Sequence, residues 1–176
     1  MIKEVLTKFP YNNDICEIAI KISVIDVTNS TQLSKYKSRI SLYDLSQIIY
    51  SIDNFDKRVS YGDEALVEEI AKATKDFENK GVNLFSLATK YCHYHNRFVY
   101  KRDDYSIYDS VVSQNLYKLS LANNPIDKIT PDKWRNDIDY KSFNKYVGAI
   151  LDSIGIDDSV NGRRRFFDHY LWYQFM

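Results

Sequence analysis

Cysteine, proline and glycine are all scarce in this sequence of 176 residues, which contains 2 Cys, 3 Pro and 5 Gly. Two cysteines, Cys16 and Cys92, are too few for a disulfide framework. Few glycines and prolines mean few tight turns, so strand connections are few and the elements between turns are long. The composition therefore favours helices over strands.

An excess of charge of one sign is also missing, because 24 Lys and Arg residues balance 24 Asp and Glu residues. This balance excludes a protein that binds nucleic acid through its bulk positive charge, so any basic footprint must be local. No apolar run approaches the roughly 18 residues of a membrane span. The mixed and charged residues 1–8 do not match a secretory signal. We expect no membrane partner and a cytoplasmic location.

What the sequence does contain fits an ordinary globular domain, with 44% hydrophobic and 27% charged residues. Its length is typical of one domain. Aromatic residues are abundant, with 15 Tyr and 9 Phe. We expect a single compact all-α domain over residues 1–176.

Apolar residues recur at helical spacing along most of the chain. Residues 14–27 also alternate like a strand, but a lone strand would lack a partner, so we expect a helix that begins after Asp14. Ser41 followed by Asp44 has the pattern of a capping box. Further helices are expected at about residues 41–52, 63–79, 86–95, 106–122, 142–154 and 159–175, with a short capped segment near 130–134 and polar connections at 28–38 and 53–62.

Sequence motifs for nucleotide loops and for serine hydrolases do not occur. There is neither a G-x-G-x-x-G nor a G-x-x-x-x-G-K-[ST] pattern, and no nucleophile elbow. The segment Cys92-His93-Tyr94-His95 has metal-capable side chains, but familiar zinc sites need paired ligands at two places in the chain. We expect partly buried histidines here, and neither a metal nor a cofactor.

Two charged residues stand where a lysine nucleophile and a carboxylate could meet. Lys90 lies in the first turns of a predicted helix, and Asp109 lies 19 residues later at the predicted start of the next helix. Backbone N–H groups and the helix dipole keep a carboxylate ionised at that place. Antiparallel helices would put the amine and the carboxylate across one cleft. The deprotonated amine could then attack a carbon bearing a leaving group while the carboxylate stabilises positive charge on a sugar.

The same residues carry a family resemblance. Leu84-Phe85-Ser86-Leu87-Ala88-Thr89-Lys90 followed by Ser106-Ile107-Tyr108-Asp109 resembles L-P-G-V-G-T-K and a later P-V-D in the helix-hairpin-helix DNA glycosylases, particularly the 8-oxoguanine glycosylase group. Ala88-Thr89-Lys90-Tyr91, Ile107-Tyr108-Asp109-Ser110 and Asp168-His169-Tyr170-Leu171-Trp172 resemble small bacterial proteins with the 8-oxoguanine glycosylase fold. The motifs cover about the last half of the chain. Ser86 and Ala88 replace the hairpin glycines of the family, and Phe85 replaces its proline.

The resemblance implies a degenerate helix-hairpin-helix around residues 66–120 and an activity on DNA. It implies base flipping, attack of Lys90 on the glycosidic carbon and a Schiff-base lyase step, with Asp109 as the electrostatic and proton-handling group. Ser86 and Ala88 would then lie where the family contacts a DNA phosphate. Thr89, and His93 three residues after Lys90, are the candidate substrate-binding residues.

A run of three arginines, Arg163, Arg164 and Arg165, could supply the local phosphate contacts that a neutral protein needs to bind DNA. The alternative interpretation is that these arginines pair with Asp157 and Asp158. Trp172 and Tyr173, in the last predicted helix, are expected to be core aromatics, with stacking on a base as the alternative.

Three functional hypotheses remain open from the sequence. The first is a DNA glycosylase and AP lyase that removes a damaged or modified base. The second is a non-catalytic helical interaction module on a glycosylase-like scaffold, for example in a bacterial defence or regulatory system, in which Lys90 and Asp109 only pair or cap. The third is an unrelated all-α scaffold that recognises a protein partner through its tyrosines.

Overall fold

The computed structural model describes residues 1–29, 31–79, 81–122 and 132–175. Every regular element within these ranges is helical, which confirms the all-α expectation. The α-helices are α1 (Ile2–Lys8), α2 (Ile15–Asn29), α3 (Leu42–Tyr50), α4 (Phe55–Ser60), α5 (Ala65–Asp76), α6 (Phe85–Phe98), α7 (Ser110–Ala122), α8 (Lys133–Asp137), α9 (Tyr140–Ser153) and α10 (Arg163–Phe175). Short 3₁₀ turns lie at Leu33–Tyr36 and Phe77–Asn79. The predicted stop signal Asn123-Asn124-Pro125 and the cap at Thr130-Pro131 lie outside the described residues.

Two predicted helix starts are confirmed by their caps. The Asp14 carboxylate accepts the Glu17 backbone N–H at 2.9 Å, so residues 14–27 begin a helix rather than a strand. Both hydrogen bonds of the capping box are present. The Asp44 N–H donates to the Ser41 hydroxyl at 3.1 Å, and the Ser41 N–H donates to the Asp44 carboxylate at 3.0 Å. Each cap satisfies N–H groups that have no partner inside the helix.

The short helices α1 and α4 lie where the sequence predicts none. They are seven and six residues long, too short for a periodic pattern to be visible. Leu6 in α1 and Phe55 and Val59 in α4 are at most 3% exposed. Tertiary burial of these side chains, not local propensity, stabilises such short helices.

Helix α6 lies at the centre of the fold and contacts α1, α2, α4 and α5. All its residues from Leu87 to Asn96 are buried. Very little of this part of the helix reaches solvent, so the polar side chains along it must find partners inside the protein. This burial places Lys90 in the interior rather than on an exposed face.

The turn between α5 and α6 forms a helix–turn–helix unit with them. The Val82 N–H donates to the Thr74 carbonyl at 2.9 Å and closes the end of α5. A Cβ on Gly81 would lie 1.8 Å from the Lys75 carbonyl oxygen, so only glycine fits this close approach. The turn therefore requires a glycine at position 81, five residues before Ser86.

Residues 99–109, between α6 and α7, have no regular secondary structure, although the sequence predicts a helix from residue 106. Three alternate N–H groups of this segment donate to side chains of α6 and α9: Asp104 to Asn96 (3.0 Å), Ser106 to Asn144 (3.0 Å) and Tyr108 to Thr89 (3.1 Å). Side chains therefore take the place of a backbone ladder and hold the segment against the core.

Candidate functional site

A cleft of about 630 Å³ opens between the end of α2, the middle of α6, the segment 99–109 and α10. Lys90 and Tyr94 come from α6, Asp109 from the segment before α7, and Asp168 and Trp172 from α10. The cleft therefore collects charged groups from three parts of the chain and adds aromatic walls, a combination typical of a ligand site.

Lys90 and Asp109 form an ion pair inside this cleft. The Lys90 Nζ lies 3.6 Å from the Asp109 Oδ2, and the two side chains are 5% and 10% exposed. The expectation that the amine and the carboxylate lie across one cleft is confirmed. Their chemical role stays a prediction.

The backbone of α7 fixes the position of Asp109. Its Oδ1 accepts the Val112 N–H at 3.0 Å, and its carbonyl accepts the Ser113 N–H at 2.9 Å. Asp109 is thus the N-cap residue, as the sequence predicts. One carboxylate oxygen caps the helix while the other faces Lys90, so Asp109 can cap α7 and pair with Lys90 at the same time.

Thr89 holds the two halves of this pair together. Its hydroxyl accepts the Tyr108 N–H at 3.1 Å and donates to the Ser86 carbonyl at 2.9 Å. The side chain is fully buried and does not line the cleft. The prediction of a substrate contact at Thr89 is therefore corrected, because this hydroxyl joins the residue before Asp109 to the residue before Lys90.

Replacing Thr89 with valine, which has nearly the same shape, should lower the free energy of unfolding by about 1 to 3 kcal/mol, because the buried Tyr108 N–H loses its acceptor. Urea unfolding measures the change. Ser46→Ala is the matched control, since the buried Ser46 hydroxyl only donates to the Leu42 carbonyl of its own helix at 2.7 Å. Equal losses in the two variants would contradict the positioning role of Thr89.

His93 does not line the cleft, which corrects the prediction of a substrate contact. It is 2% exposed, and its Nδ1 lies 2.7 Å from the Tyr105 carbonyl. This geometry assigns the proton to Nδ1, while the buried Nε2 has no partner among the described residues. Burial lowers the pKa of His93 to about 3, so the ring is neutral at physiological pH. The prediction fails because α6 packs against the protein interior at His93, three residues after Lys90.

The two predicted hairpin contacts differ in the structure. Ala88 is fully buried and its N–H donates to the Leu84 carbonyl at 2.9 Å, so it offers nothing to a phosphate, and this prediction is corrected. Ser86, in the first turn of α6, is partly exposed. A phosphate contact at Ser86 stays a prediction.

Two of the three arginines are engaged inside the protein. Arg163 is buried, donates to Asp152 at 2.6 Å and pairs with Asp158, so the alternative interpretation holds for this residue. The Arg164 guanidinium donates to the Ser106 hydroxyl at 2.6 Å. Successive residues of a helix point about 100° apart, which is why the run does not present one basic surface. The expected phosphate contact is therefore corrected at the buried Arg163, whereas at the partly exposed Arg164 it stays a prediction.

Arg165 is the member of the run that reaches the cleft. Its Nη1 lies 3.9 Å from the Asp168 Oδ2, and its guanidinium lies over the Tyr94 ring, 5.9 Å from the ring centre. The side chain is 28% exposed, and a long ion pair of this kind is weak. Arg165 can therefore turn to an anion in the cleft.

Asp168 is a site residue that the sequence shows only as part of the motif ending at Trp172. Its Oδ1 is buried and has no hydrogen-bond partner among the described residues. Burial, and then the neighbouring Asp109 carboxylate, raise the pKa of Asp168 to about 6, against the opposing effects of Arg165 and Lys90. The cleft therefore holds two carboxylates beside one buried amine.

The raised pKa of Asp168 predicts a pH-dependent stability. Because the folded state disfavours the charged carboxylate, the contribution of Asp168 is most favourable below about pH 4 and is lost as the pH rises through about 6. Asp168→Asn should therefore raise the free energy of unfolding at pH 7.5 by on the order of 2 kcal/mol, with little change at pH 4. Urea unfolding at both pH values, with the exposed Asp53→Asn as control, measures this difference. The same gain at both pH values would contradict the assignment.

The expectation that Trp172 and Tyr173 are core aromatics is wrong. Trp172 is 39% exposed and Tyr173 is 87% exposed, and both line the cleft. Together with Tyr94 they give it planar apolar walls. Such walls suit a flat ring that enters between them.

Comparison with known proteins gives a family but no activity. The family model HI_0787_N, described as an N-terminal domain, matches residues 1–104. The chain belongs to this family. An uncharacterized protein of Haemophilus influenzae (strain ATCC 51907 / DSM 11121 / KW20 / Rd) is 32% identical over 112 residues, which cover 64% of this chain and 49% of the relative. The chain thus spans about half the length of that relative, and no solved structure matches it.

The boundary of the HI_0787_N match divides the site. Thr89 and Lys90 lie inside the matched residues 1–104, whereas Asp109 and the α10 residues of the cleft lie beyond them. The amine of the candidate site therefore belongs to the HI_0787_N domain, and the two carboxylates come from the part of the chain that follows it.

The part of the chain that the structure describes shows neither a metal site nor a membrane span. No group of three or more His, Cys, Asp or Glu residues there could hold a metal ion. Cys92 and His95 are both buried, and burial raises the pKa of the Cys92 thiol. None of the helices in the described ranges has the length and apolar character to cross a membrane.

Proposed function

We propose that this protein acts on DNA as a glycosylase with AP lyase activity, removing a damaged or modified base through a Schiff base on Lys90. The observation that carries the proposal is the buried ion pair of Lys90 and Asp109, 3.6 Å apart at the wall of a cleft. A lysine amine and a carboxylate on one cleft are the two groups that this reaction needs.

The proposed reaction uses each group once. The Lys90 ammonium first releases one proton to solvent, and its nitrogen then forms a bond to the sugar carbon that bears the base. The base leaves with the electrons of the bond that breaks, and it takes up the second proton that the nitrogen loses. Asp109 stabilises the positive charge that develops on the sugar as that bond breaks. Opening of the sugar ring then leaves an imine between Lys90 and the sugar, from which the lyase step proceeds.

The shape and charge of the cleft support a nucleotide as its ligand. A volume of about 630 Å³ lies within the range of small-molecule sites. Trp172, Tyr173 and Tyr94 give planar walls for a flipped base. Arg165 stands beside them as a cation whose contacts are the Tyr94 ring and a long ion pair with Asp168. The flipped base and its phosphate thus each have a suitable group.

The proposal extends to the fold. We propose that α5, the turn at 77–84 and α6 form a degenerate helix-hairpin-helix within a single domain over residues 1–176. Its support is the helix–turn–helix geometry, with Lys90 in the second turn of α6. We also propose a cytoplasmic location for this protein.

The test is an imine-trapping assay with the full chain. Oligonucleotides carrying oxidised guanine or an abasic site are incubated with the protein and sodium borohydride, which reduces an imine to a stable adduct. A covalent protein–DNA band is expected, and base release is followed separately by alkali cleavage. Neither an adduct nor base release from any of these substrates would overturn the proposal.

A non-catalytic interaction module is the second candidate. It is favoured by the internal engagement of Arg163 and Arg164 and by the burial of Ala88 at a hairpin glycine position. In this arrangement these side chains are therefore not free to make the phosphate contacts that the resemblance to helix-hairpin-helix DNA glycosylases implies. A protein that binds DNA or another partner without releasing any base would support this candidate.

A further inference from the structure

The outer face of α10 carries a row of exposed aromatic side chains. Phe166, Tyr170 and Tyr173 are 57%, 39% and 87% exposed. Their spacing of four and three residues places them on one face of the helix, with neighbouring Cβ atoms about 5–6 Å apart. We call these three residues the aromatic row. Exposed apolar patches of this kind mark interaction surfaces.

The aromatic row is continuous with the cleft, because Tyr173 belongs to both. From Tyr173 the row follows the helix back to Phe166, one turn at a time. Rings at such intervals suit successive bases of an extended strand, and every base has a face on which a ring can stack. A strand with one nucleotide in the cleft would therefore pass along this row.

Positive charge lies along the cleft side of the same helix. Partial burial lowers the pKa of His169, and the nearby Arg165 and Arg97 guanidinium groups lower it further. Arg97 is 30% exposed with its nearest carboxylate, Asp103, at 3.4 Å, and Arg165 is 28% exposed. Two partly free cations beside the row complement the phosphates of a bound strand.

Two such cations are too few for a duplex-binding surface. Proteins that hold duplex DNA typically neutralise about 6 to 10 phosphates. Arg163 and Arg164 are engaged internally, and the whole chain has no net charge. Stacking, rather than phosphate contacts, must therefore supply most of the affinity for a nucleic acid.

We propose that the strand bound by this protein is single-stranded DNA, with the target nucleotide in the cleft and its neighbours stacked on Phe166, Tyr170 and Tyr173. Arg97 and Arg165 contact the phosphates between them. This inference rests on the proposed function for the identity of the target nucleotide. It adds the form of the DNA and the surface that holds the flanking nucleotides.

The test measures binding without chemistry, by fluorescence anisotropy of a labelled oligothymidine of about 16 nucleotides and of a hairpin duplex of similar length. Full-length protein should bind the single strand at least about tenfold more tightly than the duplex. With two phosphate contacts on a single strand, affinity should fall only about sevenfold between 50 and 200 mM salt.

Single alanine variants test the aromatic row directly. Phe166→Ala and Tyr170→Ala should each weaken binding of the single strand by about 5-fold to 100-fold. Tyr43→Ala, at a residue of α3 that is 61% exposed, is the matched control and should bind like the parent. Circular dichroism checks that each variant is folded. We expect each to fold, because the replaced rings are exposed and contribute little to the core.

The outcomes separate this inference from the proposed function. Equal affinity for single strand and duplex, or equal binding by Phe166→Ala and Tyr43→Ala, overturns the inference whether or not base release occurs. Tight single-strand binding that depends on Phe166, with no base release from any substrate, confirms the inference and overturns the enzymatic proposal.

Discussion

Replacing Lys90 with glutamine should abolish the borohydride-trapped adduct completely, because an amide cannot form an imine with a sugar. Base release should fall with it, by a factor of at least about 10³, as expected when a nucleophile is removed. The measurement is a gel assay for the covalent band, alongside alkali cleavage of the same oligonucleotide. This is the largest effect expected of any single substitution in the chain.

The burial of Lys90 complicates the glutamine variant. Breaking a buried ion pair by removing one partner typically costs about 3 to 5 kcal/mol, and Lys90 is only 5% exposed beside Asp109 and close to Asp168. Lys90→Arg keeps a cation in the cleft but cannot form the imine, so it is the second variant. An adduct that persists in either folded variant would show that a different amine reacts.

Replacing Asp109 with asparagine should slow base release by about 10² to 10³, because a neutral amide stabilises a positively charged sugar far less than a carboxylate does. Asparagine is as good an N-cap as aspartate, so the bond to Val112 can persist. Both variants break the buried ion pair with Lys90, and Asp109→Ala should lose the same activity and about 1 kcal/mol more stability than Asp109→Asn, because it also loses the cap. Base-release kinetics and thermal unfolding of the two variants separate catalysis from capping.

Asp139 provides the matched control for this experiment. It is also an N-cap, of α9, where its carboxylate accepts the Ser142 N–H at 3.1 Å, and it does not line the cleft. Asp139→Asn should leave base release unchanged. If Asp109→Asn behaves in the same way, the carboxylate of Asp109 is only a helix cap and the glycosylase proposal loses its second group.

The sequence predicts the parts of the fold that follow simple periodic rules. Helices with caps and several apolar turns, such as α2 after Asp14 and α3 after Ser41, are predicted correctly. The ion pair of Lys90 and Asp109 is also predicted, because one lies near the start of α6 and the other at the cap of α7. Local rules are sufficient for these features.

The remaining site residues depend on how α6 and α10 pack. An exposed helix would present residues near Lys90 to solvent, but α6 is buried along most of its surface, so Thr89, His93 and Ala88 face other parts of the protein. In α10 the necessary signal is present, because Asp168 lies three residues after Arg165 and four before Trp172, on one helical face. That spacing places Asp168 on one helical face with Arg165 and Trp172, and the packing of α10 decides that this face borders the cleft.

The anchoring of residues 99–109 by side chains has a consequence for hydrogen exchange. An irregular segment between two helices ordinarily exchanges its amide protons quickly, through local fluctuations. The amides of Asp104, Ser106 and Tyr108 instead donate to side chains that project from α6 and α9. They can exchange only when those helices separate from the segment, so their protection should approach that of the core helices. The segment that carries the Asp109 carboxylate is therefore already ordered before a ligand binds, and ordering it does not reduce the free energy of binding.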